Sequence, residues 1–338
     1  MKASTSISGT AGLSTPVLSY SPVALSVPGR PTDLHIRVSA PATGADLPVV
    51  LLSHGHGNAN NLSSLDGYAP VANIWASRGF VVIQPSHLSS RTLSHLVPET
   101  PEGPLFWRSR AEDMIHILDR LDEIENAVPQ LAGRMNHDDI AVAGHSLGGF
   151  TAELLLGARV TDPATGEEVN HLEPRIKQGV LFAAIGRGGD TLDGHMAERA
   201  PVFRTIDLST MTTPALIVAG DKDDSQHWTT MGPDWHADPY HLAPGPKALL
   251  TVFDGEHLLG GIHGYDGSET TDENPGRVAA VAELTAAYLL TCFHRDDNAW
   301  RSARDALATG PEAYGHVESK EDQGPAPTAS TDHSGVNG

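Results

Sequence analysis

Short apolar runs alternate along this chain with longer amphipathic stretches. Leu34 to Val38 alternates apolar and polar residues, the pattern of a half-buried antiparallel strand. Pro48-Val49-Val50-Leu51-Leu52-Ser53 is continuously apolar up to a glycine turn, which predicts a strand buried on both faces. Gly79 to Pro85 is a second such run, preceded by a helical pattern over Val71 to Arg78. Between Arg110 and Ile124 the apolar residues Met114, Ile117, Leu118, Leu121 and Ile124 recur at helical spacing and predict one amphipathic helix. Strand-like runs follow at Ile140 to Ala143, Gly179 to Ala184, Ala215 to Ala219 and Leu249 to Phe253, and Arg277 to Leu290 reads as a closing helix. Strands and helices in this rhythm predict an α/β fold, a mostly parallel sheet covered by helices on both faces. Ligands of such sheets bind beyond the carboxyl ends of the strands, so chemistry is expected just after each run.

Composition narrows the class. Of 338 residues 39% are hydrophobic, enough for a sizeable core, and no stretch approaches the 18 apolar residues of a membrane-spanning helix. Met1 to Tyr20 is rich in Ser and Thr without an apolar core segment, so no signal peptide is read and the expected location is cytoplasmic. Cys292 is the one cysteine, which excludes intramolecular disulfides and cysteine-based metal sites. With 22 basic against 42 acidic residues the net charge is −20, a field that repels nucleic acid and anionic membranes, so neither is an expected partner.

The strand ends carry the candidate chemistry. After the Ile140 run comes Gly144-His145-Ser146-Leu147-Gly148-Gly149, then a helical stretch from Phe150. A G-x-S-x-G segment between a buried strand and a helix lifts the serine hydroxyl onto a strained turn, where glycines permit close backbone approach and the next N–H faces a developing oxyanion. Ser146 is therefore the candidate nucleophile and the amide of Leu147 a candidate oxyanion donor. After the Pro48 run, Ser53-His54-Gly55-His56-Gly57-Asn58 can deliver a second donor, the amide of His56 first and that of Gly57 second. Otherwise the segment is a plain glycine turn, or His54 and His56 form a metal-ligand pair. After the Ala215 run, Asp221, Asp223 and Asp224 compete to orient an imidazole, and Asp223 is preferred on its spacing from Gly220, with Asp221 next. After the Leu249 run, Asp254-Gly255-Glu256-His257 supplies the base. The order Ser146, Asp223, His257 after successive strands favours His257 over His263, His195 and His227.

On these residues the chain resembles the α/β-hydrolase superfamily over roughly residues 47 to 290. Leu51-Leu52-Ser53-His54-Gly55, Arg110-x-x-Asp113 and Gly144 to Gly149 resemble the dienelactone-hydrolase-like, chlorophyllase-like and cutinase-like esterases. The resemblance implies a serine carboxylesterase with a Ser-His-Asp triad, acting on a small-molecule ester without cofactor or metal. Dienelactone hydrolases proper carry cysteine where this chain has Ser146, and chlorophyllases carry arginine where it has Leu147. The organisation implied is an N-terminal extension over 1–30, a catalytic domain over 31–317 without a large lid, and a disordered tail over 318–338. Residues 158–175 are polar and read as loop. Two aromatic-bearing loops, with Trp107 at the end of one and Trp228 and Trp235 in the other, are the candidate substrate walls. An amidase or peptidase, an acyltransferase and a non-catalytic binding protein remain as alternatives on the same residues.

Overall fold

The run Leu47–Ser53 forms β3, and its alternate residues divide the core in two. Val49 and Leu51 point into one hydrophobic cluster, Val50 and Leu52 into another on the opposite face of the sheet. The same alternation holds for Ile140 and Val142 against Ala141 and Ala143, and for Ile217 against Leu216 and Val218. Both faces are apolar because both are covered, so the strands read as continuous runs rather than alternating ones.

This computed structural model describes residues 14–320 apart from 98–99, 101–102, 265–266, 268 and 310–312. In chain order its elements are β1 (Val17–Leu25), β2 (Leu34–Pro41), β3 (Leu47–Ser53), α1 (Ala69–Ser77), β4 (Val81–Pro85), α2 (Trp107–Leu118), α3 (Leu121–Ala127) and β5 (Met135–His145). There follow α4 (Leu147–Leu155), β6 (Arg159–Thr161), β7 (Glu168–Asn170), β8 (Ile176–Phe182), α5 (Gly194–Arg199), β9 (Ala215–Gly220), α6 (Asp238–Leu242), β10 (Lys247–Val252), α7 (Pro275–Cys292), α8 (Ala299–Thr309) and β11 (Gly315–Lys320). Nine strands make one sheet in the order β1-β2-β4-β3-β5-β8-β9-β10-β11. From β4 to β10 every neighbouring pair is parallel, while β1, β2 and β11 run antiparallel to their neighbours. This is a mixed α/β architecture with a large, mostly parallel sheet.

Helices α2, α3 and α4 cover one face through Met114, Ile117, Ile124, Phe150 and Leu154, and α1 and α7 cover the other through Val71, Trp75, Val278, Val281 and Leu289. From β3 the chain crosses to β4 on one side and then to β5 on the other. The crevice between the carboxyl ends of β3 and β5 is thus the point where the winding reverses, the place such sheets bind ligands. Ser53 pairs with Gly144 at this edge, so the turn after β3 and the G-x-S-x-G segment after β5 face each other.

Four elements differ from the sequence expectation. The predicted helix over Arg110 to Ile124 is two helices, broken at Asp119-Arg120, where the Arg120 guanidinium donates to Ser26 O at 2.7 Å. Met114, Ile117, Leu118, Leu121 and Ile124 stay buried across the break, which is why the periodicity runs through it unmarked. The polar stretch over 158–175 holds the hairpin β6–β7. At the ends, β1 lies within the span assigned to an extension, and β11 runs to Lys320, past the limit set at residue 317. The rest of the predicted tail, 321–338, lies outside the described residues.

Two contacts fasten α1 to α7: Trp75 Nε1–H donates to Thr285 Oγ1 at 3.0 Å in the core, and Arg78 forks onto Glu283 at the surface. Thr285→Val keeps the volume but orphans the Trp75 N–H, so urea unfolding should register a loss of about 1–3 kcal/mol.

Candidate functional site

Ser146 occupies the turn between β5 and α4 with φ 54° and ψ −118°, a region that L-residues enter only under constraint. The constraint is local packing. A Cβ on Gly144 would collide with the Gly148 carbonyl, and one on Gly148 with the carbonyls of Ser53 and His54. Gly149 lies against Ala184 at the end of β8. The glycines therefore let the first turn of α4 drop onto the ends of β3 and β8 and push Ser146 outward. The Leu147 amide lies in that first turn, where an N–H has no intrahelical acceptor. Ser146 Oγ has no protein hydrogen bond among the described residues.

The structure brings Asp223 and His257 together from the loops after β9 and β10. His257 Nδ1 is 2.8 Å from Asp223 Oδ2, and His257 is 37% exposed whereas Asp223 is buried. Burial alone would raise the Asp223 carboxyl, but the imidazoles of His257 and His236 and their hydrogen bonds outweigh it and hold the group well below the ordinary carboxylate range. Asp221 and Asp224 do not join them: Asp221 Oδ1 is buried without a partner, and Asp224 accepts from Gln226. With Nδ1 committed, the free nitrogen of His257 is Nε2. Its ring lies 4.9 Å from that of His145, the residue immediately before Ser146.

His145 joins three loops in one hydrogen-bond chain. Its Nε2–H donates to His257 O at 2.7 Å, and its Nδ1 accepts from Tyr68 Oη at 2.8 Å. Tyr68 in turn accepts from the Gly55 amide at 3.0 Å. Burial depresses His145 well below the usual imidazole range, which suits this neutral tautomer. In the same turn the amides of Asn58 and Ala59 are taken by Glu269. Among the described residues that leaves the amides of His56 and Gly57 without an acceptor, the two candidates expected there.

Beneath this turn lies a buried network that the sequence did not reveal. Arg110 donates to Thr151 of α4, to Ser89, to Ser53 Oγ and to the His54 carbonyl. Ser53 Oγ is 3.0 Å from His87 Nε2, and His87 Nδ1 is 2.9 Å from Asp113 Oδ2. Arg30 pairs with the other oxygen of Asp113 at 3.0 Å. Burial raises Asp113 to about 6 against the pull of Arg30 and Arg110, and burial and the same two cations depress His87. His54 is enclosed here as well, its Nδ1 on Gly55 O and its Nε2 on the His87 amide, so it is not free to ligate a metal.

The three expected wall tryptophans separate. Trp107 and Trp235 are core residues, Trp107 stacked under Arg108 and Trp235 donating to Arg187 O at 2.9 Å. Trp228 alone lines a cavity, of about 510 Å³, with Asp193, His195, Met196, Arg199 and His227. On distance, two groups among the described residues could hold a metal ion: Asp223, His236 and His257, and Asp122, Glu125 and His137 at the surface. In the first, all three side chains are engaged with one another, and in the second Glu125 already accepts two backbone amides.

The chain matches no protein-family model and no curated protein. Because the Gly148 backbone rests on β3, Gly148→Ala should cost about 3 kcal/mol in urea unfolding, with loss of soluble protein as the extreme result.

Proposed function

We propose that this protein is a serine hydrolase of the α/β-hydrolase type that cleaves carboxylic esters. The observation that carries the reading is the pairing of a strained Ser146 between strand and helix with an Asp223–His257 hydrogen bond of 2.8 Å at the ends of later strands of the same sheet. A buried carboxylate that fixes Nδ1–H of an exposed imidazole leaves Nε2 as a proton acceptor, and a serine on a G-x-S-x-G turn is the partner such a base serves.

In this mechanism Nε2 of His257 takes the Ser146 proton as Oγ attacks the ester carbonyl. The amides of Leu147 and His56 stabilise the oxyanion, a contribution of about 3–4 kcal/mol per donor in comparable sites. Collapse of the tetrahedral intermediate expels the alcohol, which takes the proton from His257. Water, activated by the same imidazole, then adds to the acyl group and releases the acid. Asp223 stays ionised throughout and offsets the positive charge that forms on His257. The cavity beside Trp228 is the proposed site for one arm of the ester.

The test is hydrolysis of p-nitrophenyl esters from acetate to palmitate, together with labelling by a fluorophosphonate. Ser146→Ala should lower kcat/KM by at least about 10³-fold and abolish labelling while circular dichroism and the unfolding midpoint stay unchanged. Retained turnover in that variant would remove the assignment.

A further inference from the structure

One enclosed side chain touches the proposed triad and takes no part in the steps above. His236 lies in the short turn Gly232–Ala237 before α6 and is buried. Its Nδ1 is 2.6 Å from Ala184 O, and its Nε2 is 2.9 Å from Ser225 Oγ and 3.1 Å from Asp223 Oδ2. A carbonyl oxygen only accepts, so Nδ1 carries a proton.

What Nε2 carries follows from counting donors. In the neutral ring Nε2 is a lone pair and can only accept from the Ser225 hydroxyl. It would then face the carboxylate oxygen at 3.1 Å without a proton between them. Asp223 Oδ1 would also lose the Ser225 hydroxyl that lies 2.7 Å away. The imidazolium form satisfies every atom together: Nδ1–H on Ala184 O, Nε2–H on Ser225 Oγ, Ser225 O–H on Asp223 Oδ1, and His257 Nδ1–H on Oδ2, with the His236 charge 3.1 Å from Oδ2. Buried polar groups that can all be satisfied in only one protonation state favour that state.

We propose that His236 is held as an imidazolium and acts as a positioning residue, fixing Asp223 between two imidazoles and by its charge keeping His257 neutral, and so able to accept the Ser146 proton, in acidic solution. The inference rests on the serine-hydrolase reading. Its logic is electrostatic. A buried carboxylate with a single imidazole partner favours the protonated form of that imidazole, which withdraws the base from use as pH falls. A second cation on the same carboxylate opposes this. The His236 and His257 rings are 5.4 Å apart, a separation at which two charges in a protein interior repel by the equivalent of about one to two pH units.

Other charged groups do not cancel the effect. Asp223 faces His236 from the loop after β9 and His257 from the loop after β10, with the neutral Trp235 ring alongside. Asp238 of α6 is engaged by the Arg187 amide and guanidinium, and burial pushes its carboxyl up. Glu153 of α4, beyond Asp238, is driven well above the carboxylate range by burial.

The experiment is the pH dependence of kcat/KM on p-nitrophenyl butyrate for the wild type and for His236→Gln, whose amide can reach Asp223 without a charge. The variant should remain within a few-fold of wild type above pH 8, and its acidic limb should move up by about one pH unit, a further loss of about tenfold near pH 6. A purely structural role would lower activity evenly and leave the limb in place, and an unmoved limb in a folded, active variant overturns the proposal. A second readout does not need turnover: in ¹⁵N-histidine-labelled protein the His236 signals, assigned by their loss in the Gln or the His236→Asn variant, should show both nitrogens protonated at pH 7. The shift pattern of a neutral imidazole overturns the proposal. A wild type with no Ser146-dependent turnover overturns the hydrolase reading and the catalytic part of the proposal with it, whereas the nitrogen shifts then judge the imidazolium alone.

Discussion

The backbone contact between the first turn of α4 and the ends of β3 and β5 is the constraint on which the rest of the site depends. Gly144, Gly148 and Gly149 are places where a side chain would meet a carbonyl or the backbone of Ala184, so the helix can start closer to the sheet than any other sequence would permit. Closing that distance puts Ser146 into a φ of 54°, with its hydroxyl in no protein hydrogen bond among the described residues. Strain of this kind costs of the order of 1–3 kcal/mol and persists only where its surroundings over-determine it. Here they do, through the apolar burial of β3 and β5 below and of Leu147 and Phe150 above.

Once the turn is fixed, polar contacts carry its position to the neighbouring loops. Tyr68 and His145 connect the Gly55 amide to the carbonyl of His257, so the turn after β3 and the loop after β10 are spaced from one shared side chain. Arg110 does the same from below, holding the His54 carbonyl and the α4 residue Thr151 with one guanidinium. The segments after β3, β5 and β10, distant in sequence, are thereby held relative to one another without a covalent link. A site built in this way is rigid where it needs directional hydrogen bonds and open only at its outer edge.

The sequence displayed the parts of this arrangement that depend on local pattern. β3, β4, β5, β8, β9 and β10 were legible because burial on both faces makes them continuous apolar runs, and Ser146 because its glycines form a spaced motif. The choice of Asp223 over its neighbours came from a spacing within one loop, and the structure pairs that residue with His257. What was hidden depends on tertiary context. β11 (Gly-His-Val-Glu-Ser-Lys) has one apolar side chain and is a strand because β10 offers it an edge. The break between α2 and α3 leaves the apolar spacing intact, so periodicity alone bridges it. Trp107 and Trp235 sit in loops by sequence, yet are pulled into the core, where large aromatic surfaces lower the free energy most. Tyr68, His87 and His236 carry no motif at all. Their partners lie 77, 26 and 52 positions away, distances that only the fold closes.

The chain contains the same three side-chain types twice, hydrogen-bonded throughout in one set and only between base and acid in the other, and the comparison separates geometry from reactivity. Ser53, His87 and Asp113 are linked at 3.0 and 2.9 Å, within the range that nucleophile, base and acid require. Yet Ser53 and His87 are fully enclosed, Ser53 Oγ also accepts from Arg110, and the turn after β3 closes over them. No substrate carbonyl can reach that oxygen, and no water can replace the proton it would give up. The set is a clamp for the turn, with Asp113 paired to the Arg30 cation and hydrogen-bonded to the neutral His87. In the second set Ser146 is 5% exposed at the strand edge and His257 is 37% exposed, while the carboxylate is buried. On the proposed reading the difference between scaffold and catalyst is therefore access at the base, since His257 is partly exposed where His87 is enclosed. The acid is deeply held in both, because a carboxylate orients an imidazole best where water does not compete for it.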